Sequence, residues 1–401
     1  MWQSRFMLMV VTALVCAGSQ TFGQVDEPPN TGVPTKVGER IIIQQGAELR
    51  PTKQIDKDVE NLKRFQQLNG GELRLTFRVY QVLKIEKPWA WVQSESDGAT
   101  GWVQLTEATT LEAAFERATA EILANPQNTS LLVSRALLWA EKGEIDLAIA
   151  DYDQVIKIDP RSPIAHNNRG NLYRLKKDTD KAITDFTEAI NLDPDYAGAY
   201  NNRGITWKFK DIDKAIADFT ESLKIDPKSA LTYNNRGNAY REKQEVDKAI
   251  ADFTEAIKLQ PRYTHAIVNR GMARRSKNLF KEAVEDYNEA LKIDPKNGSS
   301  YNNLAWLWAT CPDAKYRDAA KAVEFATKAC ELTAFKSGNY LDTLAAACAE
   351  SGDFESAVRW QEKAQPLFPE GPGRARGQAR LNLYKLEKPF REIEVPLTTR
   401  P

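Results

Sequence analysis

Five asparagines recur at a nearly fixed interval: Asn168, Asn202, Asn235, Asn269 and Asn303 stand 34, 33, 34 and 34 residues apart. They sit in the words "HNNRG" (166–170), "YNNRG" (200–204 and 233–237), "VNRG" (268–271) and "YNNLA" (301–305). An amide side chain carries both a donor and an acceptor, the complement of the acceptor and donor of a peptide unit. A line of such amides can therefore read main chain without reading sequence. Packed helices lie about 8–10 Å apart and an extended strand advances ~3.3 Å per residue. One asparagine would meet roughly every third residue of a bound strand, each bond contributing about 0.5–1.5 kcal/mol. On this expectation, replacing the amides weakens binding and leaves folding intact.

A second stripe accompanies the first. Arg174, Lys208, Arg241 and Arg275 each follow one of these asparagines by six positions, beside Asn167, Asn201 and Asn234. The other copies carry Ala140, Ala309 and Ala349 there. A solvated face is the plain reading. Confinement of the cations to asparagine-bearing copies adds an acidic ligand as the alternative reading. A third pattern pairs Arg135, Arg169, Arg203, Arg236 and Arg270 with Asp151, Asp185, Asp218, Asp252 and Asp286. Leu304 and Leu344 replace the arginine in the last two copies, which also lack the aspartate. Joint presence and absence predicts an arginine–carboxylate pair between helices, structural in purpose.

Catalytic patterns are missing from the sequence. His166 and His265 are far apart, and neither a nucleophile elbow nor metal-ligand spacing occurs. "GPGRARG" at 371–377 has misplaced glycines and no preceding strand, so it reads as the entry to a helix. The expectation is a chain with no enzymatic activity, cofactor or metal.

The elements that hold these stripes follow from punctuation. Pro160, Pro194, Pro227, Pro261 and Pro295 keep the same spacing. Upstream of each lies a small residue (Ala136, Gly170, Gly204, Gly237, Gly271), then an alanine (Ala148, Ala182, Ala215, Ala249, Ala283). Four residues on comes Tyr152, Phe186, Phe219, Phe253 or Tyr287. Two helices approach closely only where bulk is absent, the aromatic fills the wedge, and proline ends the second helix. Such a unit cannot bury its apolar face alone, so copies must stack.

These residues resemble the tetratricopeptide repeat family. The resemblance covers residues 129–369 as seven repeats, with a half-repeat helix at 108–128 and a capping helix and tail at 370–401. It implies a mainly α solenoid whose first helices line a concave groove. Similarity to family members with an asparagine ladder, such as the O-linked N-acetylglucosamine transferase superhelix, implies that the five amides face that groove. The carboxylate clamp of chaperone-binding members is disfavoured, because Asn167, Leu231 and Asn235 stand where it needs cations.

Ahead of the repeats the texture changes. Arg5 and the apolar run from 6 to 17 read as a secretory signal over residues 1–23, followed by a linker at 24–38. Residues 39–107 read as strands: Ile41–Gln45, the alternation of Leu73, Leu75, Phe77 and Val79, and "PWAWVQ" and "GWVQL". Their ending resembles bacterial Src-homology 3 (SH3) type domains, which implies a small all-β barrel. Lys+Arg and Asp+Glu balance at 55 each, so no net field draws the chain to nucleic acid. Cys330 and Cys348 could face each other in an oxidising compartment, but three buried thiols without a Cys-x-x-Cys pair is the simpler reading. Together these features describe an exported scaffold, periplasmic or secreted, with no membrane span, that binds extended protein or peptide segments. The alternative is an envelope-targeting protein whose barrel binds cell-wall peptide or glycan through Trp89, Trp91 or Trp102.

Overall fold

Most of the hairpins carry a polar residue whose side chain closes the first turn of a helix. Asn128, Ser162, Ser229, Asn297 and Ser337 accept the backbone N–H three residues on at the heads of first helices. Asp178, Asp211, Asp318 and Asp353 do the same for second helices. The computed structural model describes the backbone of five strand segments between residues 40 and 110, and residues 111–392 throughout. Within them stand sixteen α-helices, α1 to α16 in chain order. The signal, the linker and most of the 72–79 alternation lie outside the described residues.

The strands form one antiparallel sheet: β1 (Arg40–Ile43), β2 (Val79–Glu86), β3 (Trp89–Ser94), β4 (Thr100–Gln104) and β5 (Ala108–Thr110), in the order β4-β3-β2-β1-β5. Trp91 stands opposite Trp102 in the β3–β4 register, and a bulge lies between Val82 and Lys84. The helix α1 (Leu111–Ala124) packs on β1 and β5 and joins the compact unit of the sheet.

The second unit holds the hairpins. They are α2/α3 (Thr129–Glu141, Ile145–Ile158), α4/α5 (Pro163–Leu175, Thr179–Leu192) and α6/α7 (Ala197–Trp207, Ile212–Ile225). Next come α8/α9 (Ala230–Glu242, Val246–Leu259) and α10/α11 (Thr264–Ser276, Phe280–Ile293). Then follow α12/α13 (Gly298–Thr310, Ala319–Leu332), α14/α15 (Gly338–Glu350, Phe354–Ala364) and the final helix α16 (Pro372–Lys385). The "GPGRARG" segment does enter a helix, with Pro372 in its first turn.

At the four hairpins that carry glycine, the crossing differs in detail from the expectation that a small residue faces the alanine. The aromatic ring itself, not the alanine, lies on the glycine. A Cβ at Gly170, Gly204, Gly237 or Gly271 would stand 2.8, 2.7, 2.8 or 2.7 Å from a ring carbon of Phe186, Phe219, Phe253 or Tyr287. The alanine packs beside the ring and carries the contact onward, as in the cluster of Ala215, Phe219 and Ala239 from the next hairpin. In the sixth and seventh hairpins Phe325 and Trp360 occupy the aspartate position and pack near Leu304 and Leu344. The extra residues between α12 and α13 form a 3-10 turn (Ala314–Tyr316), held by Arg317 donating to the carbonyls of Cys311 and Pro312.

Candidate functional site

The arginine–aspartate pairs are present in all five hairpins that carry both residues. Arg135, Arg169, Arg203 and Arg236 each grip one carboxylate through Nε and Nη2, at 2.6–2.8 Å, on Asp151, Asp185, Asp218 and Asp252. Arg270 holds Asp286 with Arg274 as a second donor. Four of these arginines also reach back to the preceding hairpin, where Nη1 meets Asp153, Thr187, Thr220 or Thr254. Each guanidinium therefore fastens its own hairpin and the one before it. The bond to Asp185 raises the pKa of Arg169, and Asp252 does the same for Arg236. A second series, unnoticed in the sequence, ties Lys176, Lys210, Lys243 and Lys277 to Asp146, Asp180, Asp213 and Asp247 of the preceding hairpin. Its signal was the same period repeated in Asp and Lys.

Three of the asparagines bond from one hairpin to the hairpin before it. Asn202 donates Nδ2 to Oδ1 of Asn167 at 3.0 Å, Asn235 to Asn201 at 3.0 Å, and Asn269 to Asn234 at 2.9 Å. Asn168 has Val133 in place of a preceding amide and donates to the Tyr152 hydroxyl, 3.1 Å away. The sixth residue of one hairpin thus bonds the fifth residue of the hairpin before it. These donors hold the stack together.

The ladder stops at the fifth hairpin. Val268 occupies the acceptor position, so Asn303 has no amide to meet. Beyond it, Asn302 Oδ1 is buried without a hydrogen-bond partner. The rule resumes at the end of the array in charged form. Asp342 takes the acceptor position of the seventh hairpin and receives Arg380 of α16 at 2.9 Å on both oxygens, together with Gln361 at 2.8 Å.

The cationic stripe is not a freely solvated face. Arg174 and Arg241 fold onto Asn171 and Asn238 of their own helices, and Arg241 Nη1 also lies 3.4 Å from Met272 Sδ. Lys208 pairs with Glu242 of the next hairpin at 3.5 Å. Burial first, with a smaller push from Arg275, lowers the pKa of Arg241. Arg275 has an occupant: Glu392 Oε1 stands 3.8 Å from its Nη2.

Glu392 belongs to a segment that sequence reasoning missed. After α16 the chain turns at Glu387, with φ 53°, and runs back across the first helices of the sixth and seventh hairpins. The Glu392 carboxylate accepts Trp306 Nε1 at 2.7 Å, and its N–H donates to the Thr310 carbonyl at 2.9 Å. Arg391 pairs with Glu350 at 2.5 Å, and the Phe390 ring lies 5.9 Å from that of Trp306. Arg380 sits over both rings. Beside this segment the Tyr287 hydroxyl is fully buried and unpartnered, its pKa pushed up to about 12 by burial, with Asp286 and Glu392 adding to the rise and Arg275 and Arg241 opposing it. The only sequence signal was Pro389 followed by an aromatic and alternating charges.

Among the described residues no His/Cys/Asp/Glu cluster could hold a metal ion, and no helix is long and apolar enough to cross a membrane. Cys311, Cys330 and Cys348 are buried free thiols.

Two family patterns match the chain: the TPR repeat at residues 139–175, and the Tetratricopeptide repeat at 163–196, 230–263 and 266–297. No curated protein matches. Among solved structures, the APC/C hetero-tetramer Cut9–Hcn1 is 14% identical over 68% of this chain and 52% of its own, with a TM-score of 0.51. YrrB, a TPR protein with an unusual peptide-binding site, is 19% identical over 47% of this chain and 98% of its own, TM-score 0.39. MamA is 28% identical over 39% and 93%, TM-score 0.37. The helical hairpins are tetratricopeptide repeats stacked in an α-solenoid.

Proposed function

We propose that this chain is an exported, non-catalytic scaffold whose first-helix face binds extended, acidic protein segments. One observation carries the reading. A half-buried arginine, Arg275, faces a carboxylate supplied by chain that crosses the first helices and bonds their backbone. The arrangement favours an acidic side chain near Arg241 and Arg275, where burial strengthens charge pairing relative to open solvent. The amides of Asn168, Asn202, Asn235 and Asn269 act in this reading as the frame of the groove. Contact with a bound main chain falls to Asn303 and the neighbouring cations. The N-terminal sheet is read as an SH3-type barrel, supported by its antiparallel order with β1 between β2 and β5, and residues 1–23 as the export signal.

The test is fluorescence anisotropy with a set of acidic, proline-containing synthetic peptides and their amide-substituted counterparts. Arg241→Glu with Arg275→Glu should lower affinity for the acidic set by about tenfold or more, and rising salt should weaken the unmodified protein's binding. Equal affinity in a variant that circular dichroism shows to be folded would reject the reading.

A further inference from the structure

We infer that the face between the fifth and seventh hairpins is a reader of aromatic–basic–acidic triplets, and that Phe390, Arg391 and Glu392 are its resident occupant, which a partner segment must displace. The inference rests on the groove reading above and gives it a partner chemistry and a built-in competitor.

Each residue of the triplet has its own receiver. The aromatic packs on Trp306, whose other neighbour Arg380 is itself clamped by Asp342. The basic residue meets Glu350, a carboxylate also held by Arg317 at 3.2 Å. The acid takes a short bond from Trp306 Nε1 and faces Arg275. Main-chain recognition is supplied by the last turn of α12. Helix ends leave carbonyls unsatisfied, and those of Ala309 and Thr310 accept from Arg391 Nη1 and the Glu392 N–H.

Two further observations mark the place as a receiving site. The asparagine ladder, continuous from the second hairpin to the fifth, is interrupted here: Val268 leaves Asn303 without its amide partner, Thr343 stands where the next donor would be, and Asn302 Oδ1 is buried and unsatisfied. The Tyr287 hydroxyl, also buried and unsatisfied, lies within the electrostatic reach of Arg241, Arg275 and Glu392. Tyr152, its counterpart in the first hairpin, is bonded by Asn168 sixteen residues on. Asn303 stands sixteen residues after Tyr287 without making that bond. Asn302 Oδ1 and the Tyr287 hydroxyl are thus polar atoms that the resident triplet leaves unbonded.

The resident contacts are also weak enough to exchange. The pair to Arg275 is long and partly exposed, which leaves it little strength, and the remainder is a handful of bonds at the end of the array. A competitor in cis lowers apparent affinity by the fraction of molecules in which the site is free.

The probe is a fluorescent synthetic peptide of residues 386–394, LEKPFREIE, titrated into the full chain and into a full-chain variant carrying Phe390→Ala and Glu392→Gln. If the resident occupies about nine-tenths of molecules, the variant should bind the probe about tenfold more tightly. Trp306→Phe, which keeps the ring and removes its donor, should weaken the probe in the loosened background, as should Arg275→Glu. Hydrogen exchange supplies a second readout: the Glu392 amide should be protected in the free protein and lose protection when excess probe is added. Equal probe affinity in both chains, or affinity indifferent to Trp306→Phe and Arg275→Glu, would overturn the inference. Should the acidic set of the preceding experiment still bind with its arginine dependence, the groove reading survives that failure; if no peptide of either experiment binds, both fall.

Discussion

Asn202 donates its amide to Asn167 of the preceding hairpin across 3.0 Å, and both side chains are buried. The bond makes Asn202 a joint between repeats. Changing Asn202, Asn235 and Asn269 to alanine should therefore destabilise the solenoid, contrary to the neutral effect the sequence suggests. Each change strands the Oδ1 of Asn167, Asn201 or Asn234, which costs about 1–3 kcal/mol per site when the acceptor is buried. Urea unfolding of the single and triple variants measures the loss. A triple variant as stable as the parent would remove the joint.

How much of this was legible depends on the distance over which each feature is decided. The hairpins were legible because glycine, alanine and aromatic are set within one unit of local packing, and the same is true of Arg203 and Asp218. The direction of the asparagines was not. Whether Asn202 faces a ligand or Asn167 depends on the offset between neighbouring hairpins, which no residue inside either one declares. The doublet Asn201-Asn202 and its loss at Val268-Asn269 were the available signal, visible once the pairing rule is known. The Trp306–Glu392 bond joins residues 86 apart, and no period relates them. At the sheet, the alternation around Trp89 marked β3, while β5, three residues long, is too short to show a period.

The arginine–aspartate pair gives a sharper energetic test. Arg203→Leu leaves Asp218, a buried carboxylate, without its two charged donors and also frees Thr187. Stranding a buried partner costs about 1–3 kcal/mol. Adding Asp218→Asn should recover much of it, because the unpaired charge is then gone. A double-mutant cycle reads the coupling directly, and zero coupling would refute the pairing as a source of stability.

Buried thiols and phenols set an alkaline limit on the fold. Burial pushes Cys330 up to about 12 and Cys348 to about 11 from an ordinary 9.0, and Tyr152 and Tyr287 to about 12 from 10.0. Each of these acids is harder to ionise in the folded chain than in the unfolded one. Their stabilising contribution is complete below the unfolded values and declines as pH rises through about 11–12. Urea midpoints should hold up to about pH 9 and then fall steadily, the unfolded state being the one that loses protons. At pH 8 an aromatic disulfide reagent should find all three thiols only at the rate of unfolding, since burial suppresses both access and thiolate. Rapid labelling of Cys330 in the folded protein would contradict the packing of α13 against α14.

The end of the array rests on Arg380. It closes both oxygens of Asp342, a buried carboxylate that also takes Gln361, and it lies over Trp306 and Phe390. In a solenoid each repeat is held only by its neighbours, so the last hairpin depends on the helix that covers it. Arg380→Leu removes one partner of a buried pair, a change that costs about 3–5 kcal/mol. Because α16 touches only the end of the array, the loss should appear as local fraying rather than global unfolding. Hydrogen exchange should quicken through α14, α15 and α16 and leave α4 to α9 unchanged. Since Arg380 also steadies the Trp306 ring, the Glu392 amide should lose its protection in the same variant. Arg380→Leu with Asp342→Leu replaces the pair by apolar side chains and should restore slow exchange in α14 and α15. Without the guanidinium over Trp306, protection at Glu392 should stay low. A double variant that restored Glu392 as fully as the hairpin would show that Arg380 serves the cap alone.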